Sequence, residues 1–187
     1  MTLEIVQTGD PVLRTVARQM SIDEIKSDST RRLIELMRDT MRAAPGVGLA
    51  APQIGQSIQL AVIEDSIDYL KDLSPAQLAE QQRAPVDFHV IINPKLTIAG
   101  EATVDFFEGC LSVAGFGAIV RRAANVRVEC LNERAEPVTI SAQGWYARIL
   151  QHEIDHLNGT LYIDRMQTRT FTTIENVERF WKRETQD

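Results

Sequence analysis

The stretch Gln151-His152-Glu153-Ile154-Asp155-His156-Leu157-Asn158-Gly159 decides how the rest of the chain is read. It contains His-Glu-x-x-His. On an α-helix, residues four apart differ by roughly 40° around the axis and roughly 6 Å along it, so both imidazoles face one way and can grip one ion. Glu153 stands beside the first imidazole, close enough to reach a water on that ion without ligating it. The bland alternative is two surface histidines on a polar helix. The flanks oppose it, because Ile149, Leu150, Ile154 and Leu157 make an apolar stripe at helical spacing. Asn158-Gly159 is a helix stop, and the spacing predicts a packed helix from Gln143 to Leu157.

Composition bounds the rest. A chain of 187 residues suits a single domain, 1–187, with a sizeable core. A formal net charge of -6 argues against wide binding of phosphate backbones, so no nucleic-acid specificity is expected. No apolar run approaches the roughly 20 residues that cross a bilayer, and no membrane partner is expected. Met1-Thr2-Leu3-Glu4-Ile5 has neither the basic start and apolar run of a signal peptide nor the Arg-rich character of a transit peptide. Two cysteines do not make a disulfide scaffold. The expected home is the reducing cytoplasm of a bacterium.

Outward from the His-Glu-x-x-His helix, residues 27–44 read as a first long helix, with Leu33, Ile34, Met37 and Met41 as its buried stripe. Pro45-Gly46 ends it, and a Gly-rich loop runs from Gly46 to Gly55. Strands are expected at Gln59–Glu64, Val90–Asn93, Leu96–Ala99 and Thr103–Phe107. Residues 65–88 read as a polar surface insertion with a short helix near Ala76–Gln82. Further strands are expected at Ala118–Val120, Val126–Leu131 and Val138–Ser141, with Asn132–Ala135 as a hairpin connection. A last amphipathic helix is expected over Thr173–Arg183. This order predicts an α+β fold, with mostly antiparallel sheets packed around a central metal-binding helix and a C-terminal helix.

A catalytic metal site usually has three protein ligands. His89, the only other histidine, reads as structural or exposed, sitting before a strand. Cys130 lies on the face of Val126 and Val128 and reads as a small buried hydrophobe. Cys110, in Glu108-Gly109-Cys110-Leu111-Ser112, stays open between ligand and free thiol on spacing alone. Two His and one Cys suit Zn²⁺ or Fe²⁺.

Three segments together resemble the peptide deformylase family: Gly46 to Gln53, Glu108 to Ser112, and Gln151 to His156. The resemblance extends to Gly9–Arg14 and to Asp164-Arg165, so it spans nearly the whole chain. It implies that Cys110, His152 and His156 hold one divalent ion per chain. Fe²⁺ is the implied native metal, with Zn²⁺ or Ni²⁺ in purified samples. It implies removal of the formyl group from the N-terminal formyl-methionine of nascent polypeptides, with release of formate. Glu153 would then move the proton from water to the leaving amine. The Gln53 amide and the Leu111 N–H would stabilise the oxyanion. Gly48 would touch the substrate backbone, and Val47, Trp145 and Ile149 would wall a methionine pocket. Arg122 would pair with Asp155 and fix a strand against the metal helix.

The chain departs from the family in places. Ala114-Gly115-Phe116-Gly117 replaces a segment that often begins with Pro, Arg121 stands where Pro is common, and Gly117 stands where some bacterial members carry a cation. The nearest rival is a zinc peptidase, whose third ligand is often a downstream His or Glu; no His follows His156. A non-catalytic binding protein on the same fold is opposed by the intact Glu153 and Gln53. The apolar face of Ile174, Val177, Phe180 and Trp181, beside Arg179, Lys182 and Arg183, reads as docked on the domain or as a ribosome contact.

Overall fold

The computed structural model describes residues 2–181. In chain order the helices are α1 (Ile22–Lys26), α2 (Asp28–Ala43), α3 (Ile67–Leu70), α4 (Pro75–Gln81), α5 (Gly144–Leu157) and α6 (Ile174–Asn176). The strands are β1 (Gly48–Ala50), β2 (Leu60–Asp65), β3 (Val86–Ile98), β4 (Thr103–Cys110), β5 (Val113–Ala123), β6 (Asn125–Leu131), β7 (Pro137–Gln143) and β8 (Thr172–Thr173). One antiparallel sheet has the order β1-β2-β3-β6-β7, and a second has the order β4-β5-β8. The α+β architecture around a metal-motif helix is the one expected.

At β2 the five-stranded sheet is covered on both faces, and the sequence shows it. In β2, Leu60 and Val62 join the cluster formed with Met37 and Met41 of α2, while Ala61 and Ile63 join the one formed with Leu150 and Ile154 of α5. Alternate residues serve opposite faces, so the strand reads as one apolar run. In β6 only one face is covered: Val126, Val128 and Cys130 are buried, and Arg127 and Glu129 are exposed. Cys130 is the core residue that its alternation implied, and burial pushes its thiol up to about 11.

The helix α2 matches expectation, capped by the Ser27 hydroxyl, which accepts from the Thr30 N–H. Elsewhere three expectations are corrected. The Gly46–Gly55 loop contains β1 and a 3-10 turn, Ala51–Ile54; three residues of edge strand are too few to show a period. The strands expected at Val90–Asn93 and Leu96–Ala99 are one strand, β3, whose register shifts between Ile92 and Lys95. Pro94 lacks a ladder donor, and Asn93, at φ 50°, turns its side chain to the Met20 backbone. His89 lies inside β3 rather than before it, and its Nε2 accepts from the Tyr146 hydroxyl at 2.9 Å, tying β3 to α5. The structural reading of His89 therefore holds.

At the C-terminus the helix expected over Thr173–Arg183 is α6 followed by a π-helical turn, Val177–Trp181. Lys182 and Arg183 lie outside the described residues. No helix among the described residues is long and apolar enough to cross a membrane.

Candidate active site

The helix α5 runs through the middle of the molecule. Nine of its residues are buried, including the polar Arg148, Glu153, Asp155 and His156. It ends at Asn158, with Gly159 following at φ 69°. Gln151 ties it to β5 as a strand would: its Oε1 accepts from the Ala123 N–H at 3.0 Å, and its Nε2 donates to the Ala123 carbonyl at 2.9 Å.

This placement brings His152 and His156 against the end of β4. Among the described residues, the Cys110 Sγ and one ring nitrogen of each histidine lie within 4.8 Å of one another. The Cys110 Sγ is 3.2 Å from the His156 Nε2. Bond lengths of about 2.3 Å to sulfur and about 2.0 Å to nitrogen put tetrahedral ligands roughly 3.5 Å apart, so the three atoms suit one divalent ion. Both cysteines are free thiols.

Behind the ligands lies a buried charge network, and most of it escaped the sequence. The His152 Nδ1 donates to the Glu108 Oε2 at 3.0 Å, which turns its Nε2 toward the cluster. Glu108 is gripped at both oxygens by Arg122, at 2.8 and 2.9 Å, and at Oε1 by the Arg148 Nη1 at 2.6 Å. Arg122 also donates to Asp155, as expected, and Asp155 in turn takes a two-bond grip from Arg165 at 2.7 and 2.8 Å. Burial opposes the Glu108 carboxylate, yet Arg122 and His152 hold it below the usual carboxylate range. Burial likewise opposes a charged His152, and Cys110 with Glu108 overrides it. Arg148 crosses from α5 to the backbone of the second sheet, donating to the carbonyls of Val120 at 2.9 Å and Val104 at 2.8 Å. Its one sequence signal was an arginine four residues before His152, on the buried face of the helix.

Glu153 stands on the cavity side. Its Oε2 is buried and has no hydrogen-bond partner. A carboxylate oxygen left bare in a cavity is aimed at something that belongs there. Burial pushes this carboxyl up to about 7. Gly48 makes the position possible: a Cβ there would stand 2.2 Å from the Glu153 Oε1. Gln53 is buried, and its Oε1 accepts the Ala50 N–H at 2.8 Å. That bond fixes the amide so its NH₂ faces Ser112 at 3.3 Å and the Cys110 Sγ at 3.6 Å.

A cavity of about 500 Å³ opens over these groups, with Val47, Gly48, Gln53, Leu111, Trp145 and Ile149 among its lining. Cys110, His152 and Glu153 line it too, while His156 does not and sits behind, beside Cys110. Val47, Trp145 and Ile149 also belong to the main core cluster, so the pocket wall and the core are one surface here. Trp145 is held between Arg83, 4.9 Å from its ring centre, and Arg148, at 5.9 Å.

Comparison with known proteins bears on this site. A family model for polypeptide deformylase matches residues 2–171. The chloroplastic peptide deformylase 1A of Solanum lycopersicum is 48% identical over 94% of this chain and 63% of its own length. Peptide deformylase 3 of Streptomyces avermitilis is 43% identical over 98% of this chain and 80% of its own. The chain thus spans less than two thirds of the tomato protein and more of the bacterial one. A peptide deformylase of Acinetobacter baumannii, solved with Met-Ala-Ser bound, superposes with a TM-score of 0.78 at 31% identity, covering 89% of this chain and 99% of that one.

Proposed function

The chain belongs to the polypeptide deformylase family, and on that premise we propose that it hydrolyses the formyl group from the N-terminal formyl-methionine of newly made polypeptides. The observation that carries the reading is the convergence of Cys110, His152 and His156 beside a bare Glu153 oxygen, at the foot of a cavity.

Cys110, His152 and His156 would hold the ion. An ion of this type, Fe²⁺ by our reading and Zn²⁺ or Ni²⁺ after purification, supplies Lewis acidity to a water and to the formyl oxygen. The remaining work falls to side chains. Glu153, pressed on the Gly48 backbone, takes the proton of the attacking water and returns it to the departing amine, leaving formate and a free methionine N-terminus. The Gln53 NH₂, pinned by the Ala50 N–H, and the Leu111 backbone N–H donate to the oxyanion. Gly48 meets the substrate backbone, and Val47, Trp145 and Ile149 take the methionine side chain. With an ion in place of the proton on Nε2, Glu108 would hold the His152 Nδ1–H and orient the ring, and Arg122 and Arg148 keep Glu108 ionised.

Anaerobic purification, elemental analysis and formate release on one sample test this reading. Formate from formyl-Met-Ala-Ser, and no cleavage of acetyl-Met-Ala-Ser or of an internal peptide, is the expected result. Cleavage of internal bonds would favour a peptidase. The proposed compartment is the bacterial cytoplasm. A contact with the ribosome through residues 173–187 is removed if deleting them leaves ribosome pelleting undiminished.

A further inference from the structure

The cavity and its outer rim, with Phe107, Phe116 and Ile174, are one site, and residues 5–8 are not part of its lining. Yet this N-terminal segment holds both loops from which the oxyanion donors come. The Val6 N–H donates to the Gln53 carbonyl at 2.9 Å, and the Thr8 N–H donates to the Ser112 carbonyl at 2.7 Å. Between them the Gln7 side chain brackets the Leu111-Ser112 turn. Its Nε2 donates to the Leu111 carbonyl at 3.0 Å and to the Ile5 carbonyl at 3.2 Å, and its Oε1 accepts the Ala114 N–H at 3.3 Å.

The turn needs such a hold. It joins β4 to β5 in two residues, and the ladder between those strands shifts register between Gly109 and Cys110. A shift of that kind breaks the ladder locally, so the sheet alone sets the angle of the turn loosely. The Leu111 side chain is anchored over Gly46, where a Cβ would stand 2.9 Å from its Cδ1. That contact fixes the side chain and leaves the backbone free to tilt about it. The grip on the Leu111 carbonyl removes the tilt. Gln7 itself is exposed, and ordering a long polar side chain at the surface costs rotamer freedom for little gain in stability. Its three bonds to backbone therefore point to placement of the turn rather than to support of the fold.

We propose that Gln7 is a positioning residue for deformylation. By holding the Leu111 carbonyl it aims the Leu111 backbone, and with the Val6 bond to Gln53 it keeps the two oxyanion donors at one separation. Donors of this kind work because they are fixed before charge develops, and a small misplacement is costly in rate. The proposal rests on the deformylase reading, which gives those donors their task.

Formate release from formyl-Met-Ala-Ser by three metal-loaded variants tests it. Gln7→Met keeps the length and removes every polar contact. Gln7→Glu keeps the acceptor for the Ala114 N–H and removes the donor to Leu111. Gln7→Lys keeps a donor and removes the acceptor. The Met and Glu variants are expected to lose about tenfold in kcat with KM unchanged, and the Lys variant to stay within about twofold of the parent. Elemental analysis and thermal unfolding put each rate on the basis of folded, metal-loaded chain. Unchanged kcat in the Met and Glu variants overturns the role. So does a loss equal in all three, or one that falls on KM or follows metal content, because general loosening would produce it. Should Gln7→Met fail to fold, the contrast between Glu and Lys decides. No formate from the parent overturns the deformylase reading, and the role of Gln7 falls with it.

Discussion

The inner and outer walls of one cavity are built on opposite principles. Inside, Glu108 accepts from Arg122, Arg148 and His152, and Asp155 accepts from Arg122 and Arg165. The carboxylate oxygens of Glu108 and Asp155 are all committed, which fixes the side chains around them, while the Glu153 Oε2 is left bare toward the cavity. Outside, Phe116, Phe171, Ile174 and Trp181 touch only through apolar faces and stay half in water. The difference teaches where fixed geometry resides. Chemistry needs fixed atoms, and a buried charge network fixes them because breaking any link leaves an uncompensated charge. The apolar rim is held by graded contacts instead, and a change there leaves the buried network undisturbed.

Four substitutions break or sharpen that contrast, in descending order of effect. Glu153→Gln keeps the shape of the inner wall and removes its proton carrier. A fall in kcat of about 10³-fold with full metal content by elemental analysis is expected; retention of activity would remove Glu153 from the mechanism. Arg122→Ala strips Glu108 and Asp155 of a shared partner. It should cost about 3 kcal/mol in denaturant unfolding and weaken metal retention. Full metal content with an unchanged unfolding midpoint would refute the role given to the network. Gln53→Ala removes one oxyanion donor, so kcat should fall about 100-fold with KM for formyl-Met-Ala-Ser little changed. On the rim side, Phe180→Ser, at a ring 60% exposed, should shift stability by no more than about 0.5 kcal/mol. A larger loss there would mean the outer segment is locked as firmly as the inner one.

Much of the inner wall was legible because its chemistry is local in sequence. His152, Glu153 and His156 lie on one helical face, and a four-residue spacing says so without tertiary information. Arg122 with Asp155 was reachable through resemblance. Glu108 and Arg148 were not seen, because their partners sit 14 to 44 residues away and only the fold brings them together. Gln151 hides its function similarly, using a side-chain amide to imitate a strand against Ala123. The strand β1, Gly48-Leu49-Ala50, reads as loop because it is short and flanked by Pro45-Gly46 and Gly55; pairing with β2, not propensity, makes it a strand. The joined strand β3 was split at Asn93-Pro94, where the local turn signal is real and the long-range ladder overrides it. On the outer wall, Ile174 and Trp181 were recognised as apolar, but nothing local says that Ile174 faces a cavity and Phe180 faces water.

The central claim is a single coordination sphere, and X-ray absorption at the edge of the bound metal measures it directly. The account predicts one sulfur at about 2.3 Å and two imidazole nitrogens at about 2.0–2.1 Å, with the sulfur contribution lost in Cys110→Ser. A spectrum without sulfur, or one that Cys110→Ser leaves unchanged, would contradict it.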